Sequence, residues 1–175
     1  DEIKCAPFEC PPHFWVVNGM DFGWDHPQAH VQLWIDRDMD VIYVAQAWKK
    51  SRVTPSTVWG AIKSWCLGVP TAWPADGLQT EKGSAKQQKS YYDEAGFKLL
   101  PKHATWADGS NGVEAGVFEI RDLMMKGKFK VFAGLRDDVG FKARGPGRRL
   151  VDHLLQFLFG RGQLRHLDVN LHRHV

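Results

Sequence analysis

Apolar residues recur along this chain with two periods, about two and about 3.6, and the changes between them mark out its elements. Residues 14–22 (FWVVNGMDF) form an apolar run of strand length that stops at Gly23 and the turn-like Asp25-His26-Pro27. Residues 29–36 (AHVQLWID) alternate, with Val31, Leu33 and Ile35 on one side, which predicts a half-buried strand. The polar turn 37–40 leads into a third strand at 41–48 (VIYVAQAW). Three strands with short links predict an antiparallel meander.

The period then changes. Val58, Ile62 and Trp65 fall at helical spacing within 55–66, with Thr54 in the N-cap position and Pro55 in the first turn. Residues 69–74 are a short apolar run, a fourth strand that leads into Asp76-Gly77. The polar stretch 78–89 predicts a loop that becomes a helix through 91–95, followed by a fifth strand at 97–100. In 112–126, Val113, Val117, Ile120 and Met124 line one helical stripe that Gly127 closes. A short strand follows at 129–132. This order defines an α/β fold, a mixed sheet of a three-stranded antiparallel meander plus further strands, flanked by helices. Residues 1–13, with Pro7, Pro11 and Pro12, read as an extended lead-in.

Composition changes the picture in one place. The chain of 175 residues is long enough for one domain with a hydrophobic core, and no apolar run approaches the roughly 18 residues that cross a bilayer. The start at Asp1 carries no signal-peptide pattern and reads as a fragment or domain boundary. Three cysteines fit a reducing compartment, and no second ligand pair completes a zinc site begun by Cys5 and Cys10. The net charge of +3 is mild but uneven: residues 133–175 carry 8 Lys+Arg against 4 Asp+Glu, whereas 1–132 carry 15 against 16. Arg replaces Lys after the break, and every Trp and Tyr precedes it. The organisation expected is therefore a lead-in 1–13, a folded domain 14–134 and a divergent basic tail 135–175.

Two aspartates draw attention by position. Asp21 lies near the end of the first strand and Asp76 follows the fourth. If those strands are neighbours, both carboxylates reach one sheet edge, where they repel unless a cation lies between them. Mg²⁺ or Mn²⁺ is the natural occupant, and two such ions about 4 Å apart can activate water and stabilise a leaving phosphodiester oxygen. The alternative is that both residues cap turns with the nearby Gly23 and Gly77, since Asp-Gly pairs favour turns.

At residues 19–27 the sequence GMDFGWDHP resembles the start of the nuclease domain in large terminase subunits of tailed bacteriophages of the P22-like, headful-packaging kind. The resemblance continues through IDRDMDVIY, WPADG and NGVEAGVFEIRDLMMKGKFKVF, in the same order, over roughly residues 14–134. It implies an RNase H-like fold and cleavage of duplex DNA with Mg²⁺ or Mn²⁺, a two-metal site, in the host bacterial cytoplasm. It also implies as partners the ATPase motor domain, the portal protein and the small terminase subunit; the motor's Walker motif is absent here, and no membrane is involved. Asp21 corresponds to the first metal ligand and Asp76 to the second. Asp25 and His26 read as turn residues and Glu114 as a helix-start carboxylate. Lys82, Lys86 and Lys89, after Asp76, are candidates for DNA phosphate contact or for a solvated surface.

The family's third metal-binding aspartate is echoed only in Arg136-Asp137-Asp138-Val139, which makes Asp138 the third candidate. From Gly140 onward the chain does not resemble the family, and its glycines disfavour a helix directly after Asp138. This break suggests an internal deletion or reading-frame change in a prophage gene. Two alternatives therefore stand beside the endonuclease: a catalytically impaired remnant that binds DNA nonspecifically through its tail arginines, and another RNase H-like nuclease such as a junction resolvase.

Overall fold

The computed structural model describes residues 3–80, 83, 85–105 and 113–135, and side chains within the helix that begins at Val113 from Phe118 onward. Seven strands form one sheet. They are β1 (Lys4–Cys5), β2 (Trp15–Asp21), β3 (Gln28–Asp36), β4 (Val41–Lys50), β5 (Pro70–Ala72), β6 (Lys98–Leu99) and β7 (Phe129–Phe132). Three helices accompany them: α1 (Pro55–Cys66), α2 (Gln88–Ala95) and α3 (Val113–Met125), with a 3-10 turn at Ala75–Leu78.

The strand order is β1-β7-β4-β3-β2-β5-β6. The predicted meander is present: β2 pairs antiparallel with β3, and β3 with β4. All other pairs are parallel, so β3 alone runs against the rest. Two differences from the sequence reading follow from this topology. The proline-containing lead-in joins the sheet, because Lys4 and Cys5 pair with Val131 and Phe132 of β7. Phe8 then folds its ring against Trp34, Tyr43 and Phe132, a reward that local periodicity does not signal.

The second difference concerns β3, expected to be half-buried. Val31 and Leu33 are buried on one face, and Gln28, His30 and Gln32 are buried as well. The cause is that helices cover both faces. One core joins Val17, Val31, Leu33, Val44 and Val131 to Ile120 and Leu123 of α3. The other joins Met20, Phe22 and Trp73 to Val58 and Ile62 of α1 and to Tyr92 of α2.

The α1/α2 face buries polar groups and satisfies most of them internally. The Asn18 amide donates to Cys66 Sγ at 3.1 Å, and the Gln32 amide donates to the Trp65 carbonyl. Gln28 donates to the Val53 carbonyl at 2.9 Å and accepts from the Tyr92 hydroxyl. Such pairing offsets the desolvation cost of polar groups in a core. Helix α1 begins as its sequence predicts, with Thr54 Oγ1 accepting from the Thr57 amide and Pro55 opening the first turn.

Candidate active site

Because β2 and β5 are hydrogen-bonded parallel neighbours, their C-terminal ends leave the sheet side by side. Asp21 is the last residue of β2 and is half-buried. Asp76 is the second residue of the 3-10 turn that follows β5, and it is exposed. Crevices beyond the carboxyl ends of parallel strands are where open α/β sheets hold ligands.

The turn is fixed against β2 by packing. A Cβ on Gly77 would stand 2.7 Å from the ring of Phe22 and 2.7 Å from the ring of Trp73, so only glycine lets the turn come this close. Phe22 follows Asp21 and Gly77 follows Asp76, so this contact joins the segments that carry the two acids. The Asp76 carbonyl accepts from the Gln79 amide at 2.9 Å, and the Pro74 carbonyl accepts from the Gly77 amide at 3.0 Å. The turn is thus closed by backbone bonds, with Asp76 in its first residues. Tyr92 packs edge-on against Phe22, with ring centroids 5.1 Å apart. Burial pushes its hydroxyl well above the ordinary tyrosine value, and the negative charge of Asp21 pushes it further. The Tyr92 hydroxyl therefore remains protonated at neutral pH and donates to Gln28.

The other sequence candidates divide. Lys86 is paired with Glu94 and lies 4.3 Å from the centre of the Tyr91 ring. Lys89 lies 5.1 Å above the ring of Trp73, close to the Asp76 turn. Lys82, Asp138 and the Glu114 side chain fall outside the described residues. Asp25 accepts from the Arg52 guanidinium at 3.2 Å on an exposed surface, and His26 is exposed.

Sequence reasoning missed two groups. Lys102 and His103 line a cavity with Trp73 and Lys89; the signal available was a basic pair separated by Pro101 alone from the strand predicted at 97–100. At the opposite end of β2, His13, Asp36 and Asp38 bring three potential ligand atoms within 4.8 Å of one another. There Asp36 Oδ1 accepts from the Asp38 and Met39 amides at 3.0 and 3.1 Å, which closes the turn between β3 and β4. Its signal was the Asp-Arg-Asp sequence at 36–38, and only the fold brings His13 to it.

Comparison with known proteins identifies the family to which this fold is similar. A family model described as the terminase RNaseH-like domain matches residues 18–143, a span that extends beyond residue 134 and takes in Asp138. The large terminase subunits of Enterobacteria phage LP7 and Salmonella phage P22 are each 58% identical over 132 residues, 75% of this chain. The chain spans 28% and 26% of the length of those two relatives. The solved structure of the P22 large terminase nuclease domain matches with a TM-score of 0.81 and 46% identity, covering 92% of this chain and 88% of that one.

Proposed function

The chain belongs to the terminase RNase H-like domain family, and from that premise we propose that it is a metal-dependent endonuclease that cuts duplex DNA during viral genome packaging. The observation that carries the reading is the parallel pairing of β2 with β5, which brings the segments of Asp21 and Asp76 to one sheet edge. Carboxylate oxygens are the donors that hard divalent ions prefer, so this pair fits Mg²⁺ or Mn²⁺. Asp21 and Asp76 would hold the metal, with Asp138 as the third ligand. When bound, the metal supplies positive charge that acidifies a water molecule and offsets the charge building on a phosphodiester.

The chain's own groups do the rest. The Phe22–Gly77–Trp73 contact holds the two acidic segments in fixed relation, which matters because small displacements of reacting groups cost rate steeply. The protonated Tyr92 hydroxyl anchors α2 to β3 through Gln28. Lys89 and Lys82 follow Asp76 in sequence and would meet DNA phosphates, whereas Lys86 is engaged with Glu94. The whole protein would work with an ATPase motor domain, a portal protein and a small terminase subunit in the host bacterial cytoplasm. No helix among the described residues is long and apolar enough to cross a membrane.

Plasmid nicking with Mg²⁺ or Mn²⁺ tests the reading. Cleavage of linear and supercoiled duplex is expected, with loss in Asp21→Ala and in Asp76→Ala. Binding without cleavage by the unaltered chain would leave only a DNA-binding remnant, and strict preference for branched DNA would point to a junction resolvase.

A further inference from the structure

Beside the Asp76 turn lies a cavity of about 260 Å³. Trp73, Gln87, Lys89, Lys102, His103 and Thr105 are among the residues that line it. No carboxylate is among the described residues that line it. Two lysines therefore share one cavity wall with an amide and a hydroxyl, and the described lining opposes them with no carboxylate.

The walls are tethered to the segment that carries Asp76. Trp73 Nε1 donates to the Leu100 carbonyl at 2.7 Å, and the Ala104 amide donates to the Trp73 carbonyl at 2.8 Å. These bonds hold the Lys102-His103 strip against the indole, and the His103 ring lies 5.7 Å from it, edge to face. On the other side, Thr80 and Gln87 form a β-bridge, and the Gln88 amide donates to the Gln79 carbonyl at 2.9 Å. Both cationic walls are thus anchored to residues within a few positions of Asp76.

We propose that this cavity is a phosphate-binding subsite that grips a backbone phosphodiester of the DNA strand next to the cleavage edge. Lys89 and Lys102 supply the charge; Gln87 and Thr105, which line the same cavity, offer an amide and a hydroxyl for hydrogen bonds. The inference rests on the endonuclease reading for its ligand and deepens it by naming where the strand is held. Phosphate contacts of this kind position a duplex without reading its sequence. Lys89 and Lys102 are positioning residues, since they hold substrate away from the reacting bond.

The test is binding of a fluorescently labelled duplex of about 20 base pairs, measured by anisotropy with EDTA present so that nothing is cut. Lys89→Ala/Lys102→Ala is expected to bind at least tenfold more weakly. The slope of log affinity against log salt should shrink by about 1.8, two contacts' worth of released counterion. Lys102→Glu, a change at an exposed side chain, is expected to weaken binding at least as much as Lys102→Ala, and Lys102→Arg to restore it. It keeps the test available if the Lys89 variant fails to fold. In turnover, KM for DNA should rise while kcat changes little.

Asp21→Asn separates this inference from the reading beneath it. If Asp21→Asn binds duplex normally and abolishes cutting while the lysine variants bind and cut like the unaltered chain, the subsite is overturned and the nuclease reading stands. If cutting does not depend on Asp21 but the lysine variants still lose affinity with the smaller salt slope, the subsite stands without that reading. Inorganic phosphate is titrated separately by calorimetry. Tight phosphate binding that Lys102→Glu removes, with duplex affinity unchanged, would assign the cavity to free phosphate and overturn the proposal.

Discussion

The β2–β3 ladder carries carboxylates at both of its ends, and the two ends are built on different principles. At one end Asp21 closes β2 where the neighbouring β5 runs parallel, so the chain leaving each strand must travel away from the sheet and a crevice opens between them. At the other end β3 turns back into β4 through a tight hairpin, and Asp36 spends one of its oxygens on two amides of that turn. His13 and Asp38 complete a group of three potential ligand atoms there, closer to a metal-site pattern by proximity alone than the Asp21 end. Proximity is the weaker criterion. A carboxylate whose oxygen already accepts two backbone bonds has a structural task, and its removal should be felt in stability. A carboxylate at the mouth of parallel strands stands where a ligand would meet it, and its removal should be felt first in activity.

The largest effect that this contrast predicts is at Asp21. Asp21→Ala should lower DNA cleavage by at least two orders of magnitude, as loss of a charge-stabilising group in an active site commonly does. Its thermal midpoint should stay within a few degrees of the unaltered chain. Quantitative nicking assays beside calorimetry measure both. Cleavage reduced less than fivefold would break the contrast at its strongest point.

Gly77→Ala comes next. The added methyl meets two buried rings at 2.7 Å, and neither ring has a flexible end to move aside. The 3-10 turn must back away, carrying Asp76 with it. We expect cleavage to fall roughly 10- to 100-fold from misplacement and stability to fall by about 1–3 kcal/mol from overpacking. A variant with full activity would show that the separation of the two acidic segments is not critical.

How much of this was legible in the sequence depends on range. The strands at 14–22, 29–36 and 41–48, the helix at 55–66 and its Thr54 cap were readable because hydrophobic period and capping chemistry are local properties. The Asp21–Asp76 edge was readable as a condition, since it required two strands to be neighbours and periodicity says nothing about neighbours. The family resemblance supplied that condition, and the register Asn18–Thr71 and Gly19–Ala72 meets it. The edge strand Lys4–Cys5, the double-sided burial of β3 and the Lys102–His103 wall were not legible. Each depends on what a distant segment brings: β7 for the first, two helical layers for the second, and the Trp73 hydrogen bonds for the third.

Acid should loosen the Asp21 end before the Asp36 end. His30 pairs in register with Met20, one residue before Asp21, and its ring is fully buried against Phe97 and Tyr92. Its Nε2 has no hydrogen-bond partner among the described residues, and burial pushes its pKa down to about 3. At pH 7 the ring is neutral in both folded and unfolded chains. Below the ordinary value near 6.5 the unfolded chain takes up the proton first, so stability falls as pH drops toward 3, by up to about 1.4 kcal/mol per pH unit. Urea unfolding between pH 7 and 5 should show a loss of roughly 2 kcal/mol from this residue. His30→Phe should remove that part of the pH dependence. Identical pH profiles for the two proteins would exclude His30 as the source, and hydrogen exchange locates which end opens.

The smallest effect sharpens the contrast from the other side. Asp36→Ala removes the oxygen that accepts from the Asp38 and Met39 amides, in a residue only 8% exposed. Losing those two bonds should cost about 1–2 kcal/mol, because the amides must then find water or remain unmet. The β3–β4 register is also held by strand pairs from Gln28–Lys50 to Asp36–Val41, so the hairpin should survive with a looser turn. Cleavage should stay within about twofold, since the altered end of the ladder is the one away from Asp21 and Asp76. Asp36→Asn keeps an acceptor oxygen in the same place and should recover most of the lost stability. If Asp36→Ala instead lost cleavage as severely as Asp21→Ala while remaining folded, the metal-dependent centre would belong with His13 and Asp38 at the hairpin end, and the assignment of the two ends would be reversed.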